Sequence, residues 1–393
     1  MKGYKFFKYL ILNIFYYSLF YICSFIIPKN KKLILLGASF GKYFSGNPKY
    51  FYLHLINNKS KVDFDFYWVT SNKKIFCDLK QKKYPVLYFF SIQTFFYILR
   101  AKYLIIDNAA RDISYIVHLN GRFNIIQTWH GIPMKNVFDK KPKSFFEKTL
   151  RFLVKKEREL YKVILTCSEY DSKIYAIAMH NKNVRTIGYP RDDIFFSKDL
   201  SFVNYRQELN LYKYSKVFLY APTFRDRQKS INPFSEKFLI QLNNYLKKNG
   251  YIFLIKNHPL FGNKFKISAF DNIQDVSNIV DDIQEILTYV DVLIVDYSSV
   301  FFDFSLSNKP IMFYIYDYKN YVEKCRDLYL NYSKDLPGPT VRDENELLDF
   351  IKSVDTWFRG EKYYKKYKEF NDRFHYYQDG KSCERLYTLI KNL

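Results

Sequence analysis

Residues 291–304 read DVLIVDYSSVFFDF, an apolar run followed by a polar turn and a second apolar stretch. The run Val292–Val295 predicts a strand buried on both faces, because continuous apolar runs of this length are typical of parallel sheets. The pair Ser298 and Ser299 opens the next stretch, which predicts a helix directly after the strand. A strand that turns straight into a helix is the repeating unit of an open α/β sheet.

Short apolar runs of the same kind recur along most of the chain and alternate with amphipathic stretches. The predicted strands are 32–36, 65–69, 103–106, 124–127, 163–166, 217–220, 252–255, 292–295 and 311–314. Helical patterns lie between them, as in 277–290, where apolar residues fall on one face. Alternating strands and helices favour an open α/β fold.

The predicted strands form two series, separated by the polar stretch 199–215. We therefore predict a first domain over residues 31–205 and a second over residues 206–355. The tail, 356–393, has a helical pattern and is expected to pack back on the first domain. The 393 residues, 48% hydrophobic, are ample for two cores of this size.

The N-terminal stretch 9–27 contains no charged residue and has lysines on both sides. It is long enough to cross a bilayer and lacks the small-residue cleavage site of a signal peptide. Its tyrosines and flanking charges equally suit a helix that lies in the membrane interface, and a buried first helix of the globular body is the alternative. We expect residues 1–30 to form a membrane-associated helix, with the catalytic body on the cytoplasmic side of the cell membrane.

The chain is strongly basic, with 62 Lys and Arg against 39 Asp and Glu, a formal net charge of +23. Such an excess favours anionic partners, namely nucleic acid, an anionic membrane surface or phosphate-rich substrates. No zinc-finger, homeodomain or RRM pattern is present, so we expect a membrane surface and a phosphorylated substrate rather than nucleic acid. Five cysteines, widely spaced and without a CxxC pair, argue against a disulfide framework or a zinc site.

Most of the unusual polar clusters follow predicted strands, and ligands of doubly wound sheets bind beyond the carboxyl ends of the strands. The first cluster, QTWHGIPMK at 127–135, places the imidazole of His130 beside Gly131 at such an end. An imidazole near its ordinary pKa can remove a proton from an attacking hydroxyl. A histidine that merely caps a turn is the alternative, which the neighbouring Gly, Pro and Lys make less attractive.

Two further clusters offer donors for phosphate. Arg191 lies in GYPRDD (188–193) and presents a planar fork of N–H groups, although Arg–Asp neighbours also occur in solvated turns. In YAPTFRD (220–226), directly after a predicted strand, Thr223 and Arg225 are suited to a phosphate at the first turn of the second domain.

The cluster KNHP (256–259) ends the next predicted strand and contributes Lys256 and His258. Two basic clusters at successive strand ends are harder to explain as structural turns than either one alone. In the cluster after Val295, the hydroxyls and N–H groups of Ser298 and Ser299 suit an anion, with helix capping as the structural alternative. Asp303 is instead expected to bond a ribose or other hydroxyl.

Several familiar signatures are missing, among them GxxxxGK[ST], GxSxG and HExxH. Their absence removes the usual support for a P-loop ATPase, a serine hydrolase or a zinc protease. No carboxylate cluster stands out as a metal site. We therefore expect a metal-independent phosphate site built from Arg, Lys, His and Ser.

Taken together, QTWHGIPMK, GYPRDD, YAPTFRD, KNHP and DYSSVFFDF, in this order, resemble the CDP-glycerol glycerophosphotransferase family of teichoic-acid synthesis. The likeness continues through KPIMFYIYDYKNY and KDLPGP to QDGKSCERL, and covers the chain from about Leu33 onward. The resemblance implies two Rossmann-like domains of the glycosyltransferase B type, with the donor bound in the cleft between them. It also implies that an acceptor hydroxyl attacks the β-phosphate of CDP-glycerol and releases CMP.

The same resemblance implies roles for individual residues. His130 is the expected general base, and Asp291, which matches a further acidic position of the family, is expected to be a second catalytic residue. The expected donor-binding residues are Trp129, His130, Gly131, Ile132, Pro133, Arg191, Pro222, Thr223, Arg225, Lys256, Asn257, His258, Ser298, Ser299 and Asp303. The expected partners are a CDP-alditol donor, a lipid-linked polymer acceptor and an anionic membrane surface, with no metal, no cofactor and no nucleic acid.

The chain also departs from the family pattern. Cys325, Arg326 and Asp327 stand where an Arg-Gly pair is frequent, and Asp193 stands where Asn is common. These differences leave open whether the alditol is glycerol, ribitol or another alcohol, and whether the enzyme primes or extends a polymer. A sugar-nucleotide glycosyltransferase of capsule or lipopolysaccharide synthesis and a non-enzymatic, membrane-bound assembly protein remain as alternatives.

Overall fold

The computed structural model describes residues 18, 20–114, 122–134, 145–223, 233–257, 267, 269–319, 321, 329–332 and 334–393. The chain forms two compact units. The first comprises Met1–His130, Lys141–Asp193 and Asp379–Leu393, and the second comprises Gly131–Lys140 and Ile194–Gln378. Each unit has its own sheet.

The first unit is built on a parallel sheet that has seven strands within the described residues. The strands are β1 Asn30–Leu36, β2 Asp65–Thr70, β3 Val86–Tyr88, β4 Ala101–Ile106, β5 Asn124–Gln127, β6 Tyr161–Thr166 and β7 Val184–Thr186. Their spatial order is β3-β2-β1-β4-β5-β6-β7. This order is that of a doubly wound Rossmann sheet, and it places the topological switch point between β1 and β4.

The connections of this sheet are mainly helical. The helices are α1 Gly46–Asn57, α2 Lys73–Gln81, α3 Ile92–Arg100, α4 Phe145–Glu159 and α5 Glu169–Ala178. Single 3₁₀ turns occur at Ser39–Gly41, Lys59–Lys61 and Ala110–Asp112. The inner strands carry unbroken apolar runs, such as the fully buried Ile34, Leu35 and Leu36 of β1, because both faces of a parallel sheet are covered.

The second unit repeats the plan with a parallel sheet of six strands among the described residues. The strands are β8 Lys216–Ala221, β9 Tyr251–Ile255, β10 Ile273–Asp275, β11 Val292–Val295, β12 Ile311–Tyr314 and β13 Thr340–Val341. Their order is β10-β9-β8-β11-β12-β13, which has the same pattern as the first sheet. The switch point therefore lies between β8 and β11.

Helices of the second unit are α6 Tyr205–Glu208, α7 Glu236–Asn249, α8 Ile283–Leu287, α9 Val300–Ser305, α10 Glu344–Lys352, α11 Val354–Phe358 and α12 Glu361–Phe374. Short 3₁₀ helices span Pro190–Phe195, Lys198–Leu200 and Leu211–Lys213. Helix α7 shows how sequence sets these elements. Ser235 caps its first turn by accepting the Phe238 N–H, Leu239, Leu242 and Leu246 bury one face, and Gly250 ends it with a φ of +67°.

The C-terminal helix α13, Ser382–Lys391, belongs to the first unit. The carboxylate of Asp193 accepts the backbone N–H groups of Ser382 (3.0 Å) and Cys383 (2.7 Å) at the start of this helix. A carboxylate at a helix N-terminus satisfies donors that have no partner within the helix. Of the tail 356–393 that was predicted to pack on the first domain, only residues 379–393 belong to the first unit, and residues 356–378 belong to the second.

Nine predicted strands are present, and the structure confirms the α/β class with parallel sheets. Two boundaries differ from those predicted. The units change at Asp193/Ile194 rather than at residue 205, because residues after 193 pack with the second unit, where the Phe195 ring lies 6.5 Å from that of Phe304. The helix predicted over 277–290 is confined to α8, since Asp282 caps it by accepting the Gln284 N–H.

Most of the predicted membrane segment 9–27 lies outside the described residues. The described part of this segment includes residues 20–26, which are helical. In the part of the chain that the structure describes, no helix is both long enough and apolar enough to span a bilayer.

Candidate functional site

The predicted site residues are divided between the two units. Trp129, His130 and Arg191 belong to the first unit, and the remaining predicted residues belong to the second. Arg225 and His258 lie outside the described residues.

The turn that carries His130 begins where β5 ends. Trp129 adopts a left-handed conformation with a φ of +53°, and Gly131 has a φ of +136°. Left-handed backbone is strained for a bulky residue and requires support from its surroundings. Gln127 supplies part of it, because its Oε1 accepts the Trp129 N–H (2.9 Å) and its Nε2 donates to the carbonyl oxygen of Asn108 (3.1 Å).

The carbonyl groups of the same turn are also bonded. The side-chain Nδ2 of Asn47 donates to the carbonyl oxygens of Thr128 (3.0 Å) and Trp129 (2.8 Å). Arg191 Nη1 donates to the carbonyl oxygen of His130 (2.8 Å), and the Arg191 backbone N–H donates to Asn47 Oδ1 (3.1 Å). The guanidinium of Arg191 is thus engaged with the backbone that carries the imidazole, in addition to any contact with a ligand.

The imidazole of His130 is stacked on the indole of Trp129, with ring centroids 4.3 Å apart. Its Nδ1 lies 3.4 Å from the carbonyl oxygen of Asp107, at the end of the neighbouring strand β4. His130 is exposed to solvent on part of its surface, while protein surrounds the rest of its ring. Desolvation and the nearby Arg191 charge lower the pKa of His130 below its ordinary value, so the ring is a neutral base at physiological pH.

In the second unit, the YAPTFRD and DYSSVFFDF motifs meet at the switch point of the sheet. Ala221 pairs with Val295 at the ends of β8 and β11. Directly beyond them, Asp296 Oδ1 accepts the backbone N–H of Thr223 (2.8 Å). The buried Asp296 therefore fixes Pro222 and Thr223 at the edge where nucleotides bind in doubly wound folds.

Ser299 and Asp303, two predicted ligand-binding residues near this switch point, differ in whether the protein already uses their side chains. Ser299 directly precedes α9, but its side chain makes no capping hydrogen bond with that helix. Its hydroxyl therefore does not serve as a helix cap, which was the structural alternative to anion binding. Asp303 is buried within α9, and its Oδ2 accepts from Gln284 Nε2 (2.7 Å). This bond links α9 to α8 inside the second unit, and the predicted bond of Asp303 to a ribose or glycerol hydroxyl stays a prediction.

Lys256 and Asn257 follow β9, next to the switch point. Burial lowers the pKa of Lys256, while Asp281, Asp282 and Asp275 act in the opposite direction. Asn257 receives support from its backbone N–H, which donates to Ser277 Oγ (2.8 Å). Its side-chain Oδ1 is buried and has no hydrogen-bond partner among the described residues, which makes it an acceptor open to a ligand.

Asp291 requires a correction, because it lies at the amino end of β11, opposite the edge that carries Asp296. Its Oδ2 accepts the Val217 N–H (3.0 Å) at the start of β8, and its Oδ1 pairs with Lys309 Nζ (3.1 Å). A strand of four residues separates Asp291 from the ligand edge. These contacts tie two strands together and do not support the predicted catalytic role.

Sequence reasoning missed several residues that hold these motifs in place, above all Asn47, Asp107, Asp112 and Asp296. Asp107 and Asp296 directly follow strands β4 and β11, so the rule about strand ends was sufficient to find them. Asn47 gives no such signal, because it lies at the start of a helix and its partners are more than eighty residues away.

Comparisons with known proteins agree with the motifs. The family described as CDP-glycerol:poly(glycerophosphate) glycerophosphotransferase matches residues 19–392. The chain is similar to the teichoic acid poly(glycerol phosphate) polymerase of Bacillus spizizenii W23, with 28% identity over 98% of both chains. It is 29% identical to the corresponding polymerase of Bacillus subtilis 168 over 95% of this chain, and spans about half (50%) of that relative. A teichoic acid ribitol-phosphate polymerase of Staphylococcus aureus, TarK, is 30% identical over 94% of this chain and 70% of its own length.

Solved structures show the same likeness. The wall teichoic acid polymerase TagF superposes with a TM-score of 0.74 and 27% identity, over 93% of this chain and 89% of that structure. A TagF variant soaked with CDPG gives a TM-score of 0.75, at 26% identity and with the same coverage of both chains.

Proposed function

The chain belongs to the CDP-glycerol:poly(glycerophosphate) glycerophosphotransferase family, and we propose that it transfers glycerol phosphate, or a related alditol phosphate, from a CDP-alditol to a cell-envelope polymer. The observation that carries the proposal is the geometry of His130. A solvent-accessible, neutral imidazole is held by hydrogen bonds on a turn at the carboxyl end of a Rossmann-type strand, within the QTWHGIPMK motif.

The proposed reaction needs one base. A hydroxyl of the acceptor attacks the β-phosphorus of the donor, and His130 takes the hydroxyl proton as the new P–O bond forms. The bond between the β-phosphorus and the bridging oxygen breaks, and CMP leaves with the electron pair. General-base catalysis contributes about 10²–10⁴-fold to such steps, and the remaining rate enhancement comes from positioning and from neutralising the phosphate charges.

Residues of the second unit are proposed to hold the donor. Thr223, beside Pro222, offers a side chain at a fixed strand end, and Ser299 has a hydroxyl that its helix does not use. Lys256 supplies positive charge, and Asn257 Oδ1, for which the described part of the chain offers no donor, is proposed to accept from a hydroxyl or amino group of the ligand. Ser298, Gly131, Ile132 and Pro133 remain proposed donor-site residues, as do Arg225 and His258.

We propose no metal ion and no cofactor for this reaction. The expected donor-site groups are cations and neutral donors, which stabilise a diphosphate directly. In the first unit, Trp129 offers an aromatic face beside the base. Arg191 acts through the backbone of His130 and is proposed to contact the donor as well.

The identity of the alditol is the open part of the proposal. Relatives include polymerases of both glycerol phosphate and ribitol phosphate, at similar levels of identity. We take glycerol phosphate as the first candidate because the matching family is described by that donor. The acceptor is proposed to be a lipid-linked teichoic-acid type polymer.

A membrane surface is the proposed location of this acceptor, and the first unit has a suitable face. The helical residues 20–26 pack on α3, with the rings of Phe20 and Phe95 6.0 Å apart. Large apolar side chains of both segments are exposed, including Ile26 (75%), Ile92 (78%) and Phe96 (52%). An exposed patch of this kind on a soluble unit marks an interaction surface.

Cations accompany the patch. Arg122 lies over the ring of Phe25, and Lys29 lies over the ring of Phe123, 3.6 Å from its centroid. Burial and the charges of Arg122 and Lys102 lower the pKa of Lys29 to about 7. Apolar side chains with adjacent basic groups fit peripheral docking to anionic lipid on the cytoplasmic side of the cell membrane.

A donor screen tests the proposed function. The protein is incubated with CDP-glycerol, CDP-ribitol and UDP-sugars in the presence of a lipid-linked acceptor, and released CMP or UDP and the product mass are measured. We expect CMP release from a CDP-alditol, with an increase in acceptor mass of one alditol phosphate per turnover. UDP release alone would instead establish the glycosyltransferase alternative.

The variant His130→Ala separates an enzyme from a non-enzymatic assembly protein. We expect CMP release to fall by about 10²–10⁴-fold while the thermal unfolding midpoint stays near that of the wild type. His180→Ala is the matched control, because His180 is an exposed histidine of the same unit with no proposed role. Equal activity of both variants would contradict the assignment of His130.

A further inference from the structure

A turn at the switch point of the first sheet, between β1 and β4, contributes no residue to the proposed reaction. The turn Ser39–Gly41 follows β1, and Asp107 follows β4. The two strand ends are joined directly, because the Gly37 N–H donates to the carbonyl oxygen of Ile105 (3.1 Å). In doubly wound sheets this is the position at which ligands are held.

The backbone of this turn is strained. Ser39 and Phe40 have φ values of +51° and +57°, and both are residues with a side chain. Each such conformation costs on the order of 1–3 kcal/mol and persists only where the surroundings fix it. Consecutive strained residues at a ligand edge therefore call for a specific restraint.

Two buried carboxyl groups provide the restraint. Asp107 Oδ1 accepts the Ser39 N–H (3.0 Å), and Asp112 Oδ1 accepts the Phe40 N–H (2.7 Å). Asp112 Oδ2 also accepts the N–H groups of Asp107 (3.0 Å), Asn108 (2.8 Å) and Ala109 (3.3 Å). The carboxyl pair thus fixes the left-handed turn on one side and the backbone of residues 107–109 on the other.

This backbone is the one that faces the proposed base. The Asp107 carbonyl oxygen lies 3.4 Å from His130 Nδ1, and a carbonyl oxygen can only accept a hydrogen bond. The contact therefore requires the ring proton on Nδ1 and leaves the lone pair on Nε2. Gln127 strengthens the link, because its Nε2 donates to the carbonyl oxygen of Asn108 while its Oε1 accepts the N–H of Trp129.

From these contacts we propose that Asp107 and Asp112 are positioning residues of the transferase, which lock the Ser39–Gly41 turn and fix His130 in the Nδ1–H tautomer. The inference rests on the proposed function, in which Nε2 accepts the proton of the acceptor hydroxyl. Neither carboxyl touches a reacting atom. Both act through the backbone that they hold.

The two carboxyl groups differ in their pKa values. Burial raises the pKa of Asp107 well above its usual range, with a further contribution from the charge of Asp112. Burial also raises the pKa of Asp112, to about 6, although four backbone N–H groups favour its ionised form. Within the pair, burial and the charge of Asp112 therefore favour the neutral form of Asp107, while backbone donors favour the charged form of Asp112.

This asymmetry makes the proposal testable with conservative variants. The Asp107 and Asp112 side chains are also hydrogen-bonded to each other. In Asp107→Asn, the amide oxygen can still accept from Ser39 and the amide nitrogen can donate to Asp112, which preserves the arrangement. In Asp107→Ala both of these bonds are lost. In Asp112→Asn, an amide nitrogen replaces one of the oxygens that accept backbone N–H groups, and this nitrogen cannot accept a hydrogen bond. We expect kcat to fall on the order of 10²-fold in Asp107→Ala and Asp112→Asn, with little change in KM for the CDP-alditol, and Asp107→Asn to restore most of the loss.

The tautomer of His130 is the readout that a purely structural role would not move. Long-range ¹H–¹⁵N spectra of the full chain with ¹⁵N-labelled histidine, assigned with His130→Ala, report which ring nitrogen carries the proton. We expect the Nδ1–H form in the wild type and in Asp107→Asn, and a mixture of tautomers in Asp107→Ala and Asp112→Asn.

Asp171→Asn is the matched control. Asp171 is another buried carboxyl of the first unit, it accepts the N–H groups of Cys167 (2.9 Å) and Ser168 (2.8 Å), and burial raises its pKa to about 6. This variant is expected to lower thermal stability as Asp112→Asn does and to leave the Nδ1–H tautomer intact.

Two results would overturn the proposal: an Nε2–H tautomer in the wild type, or variants of Asp107 and Asp112 that lose stability without altering kcat or the tautomer. The proposed function fails separately, if the wild type releases no CMP from any CDP-alditol. The spectra still report the tautomer in that case.

Discussion

The side-chain nitrogen of Asn47 donates to the carbonyl oxygen of Trp129 over 2.8 Å, between residues 82 positions apart in the sequence. The same nitrogen reaches the carbonyl oxygen of Thr128, and Asn47 Oδ1 accepts the N–H of Arg191. The side-chain amide of Asn47, at the start of α1, thus joins the turn that carries His130 to the GYPRDD motif. It explains how a tryptophan with a φ of +53° is retained beside the proposed base.

Replacing Asn47 is expected to release this turn. Asn47→Ala removes two donated bonds and one accepted bond from buried backbone groups, so we predict a loss of stability of about 1–3 kcal/mol and a fall in kcat. Asn47→Asp should be as damaging, because a carboxylate cannot donate. Thermal unfolding and CMP release measure the two effects. Asn58→Ala is the control, since Asn58 Nδ2 donates to the nearby carbonyl oxygen of His54, four residues earlier in the sequence. Equal losses in both variants would contradict the assignment.

Arg191 is predicted to set the pH range of activity. Its charge helps to lower the pKa of His130, and the base must be neutral to accept a proton. Arg191→Gln removes the charge, raises the pKa of His130 and should move the acid limb of kcat/KM to higher pH. Arg191→Lys keeps the charge and should show a smaller shift, although its bond to the His130 carbonyl changes. An unchanged acid limb in Arg191→Gln would show that desolvation alone sets this pKa.

The two ends of β11 provide a matched pair of aspartates. Asp296→Ala removes the acceptor of the Thr223 N–H at the ligand edge, so we predict a higher KM for the CDP-alditol and lower kcat/KM. Asp291→Asn affects a half-exposed ion pair with Lys309 and the Val217 N–H at the opposite edge. It should lower stability by about 0.5–1.5 kcal/mol and leave the kinetic constants unchanged. If the Asp291→Asn variant lost activity while it remained fully folded, the predicted catalytic role of Asp291 would be supported.

Membrane docking is predicted to depend on the apolar face formed by residues 20–26 and α3. Ile92→Glu places a charge where lipid contact is proposed, and removes about 1.5–3 kcal/mol of apolar transfer energy. Ile177→Glu is the control, because Ile177 is equally exposed (78%) but lies on α5. Co-sedimentation with vesicles of phosphatidylcholine and phosphatidylglycerol should weaken on the order of tenfold in the first variant only. Binding that is insensitive to Ile92→Glu, or to removal of phosphatidylglycerol, would refute this surface.

The four strands that sequence patterns missed are β3, β7, β10 and β13, which are the outermost strands of the two sheets. Each has only two or three residues and is partly exposed. An edge strand has one neighbour and does not need the continuous apolar run by which the inner strands were recognised. The shortened α8 has a similar explanation, because an apolar periodicity over 277–290 indicates burial of one face and not the hydrogen bonding of a helix.

The sequence by itself determined the class of fold and the functional motifs, because burial on both faces of a parallel sheet imposes apolar runs and places polar clusters at their ends. It could not determine which strand ends are neighbours. That required the strand order, which sets Thr223 beside Asp296 and the Ser39–Gly41 turn beside Asp107, and leaves Asp291 at the other edge. Hydrogen bonds between residues 68 to 144 positions apart depend on the folded geometry alone, since no local pattern encodes the partner of a buried polar group.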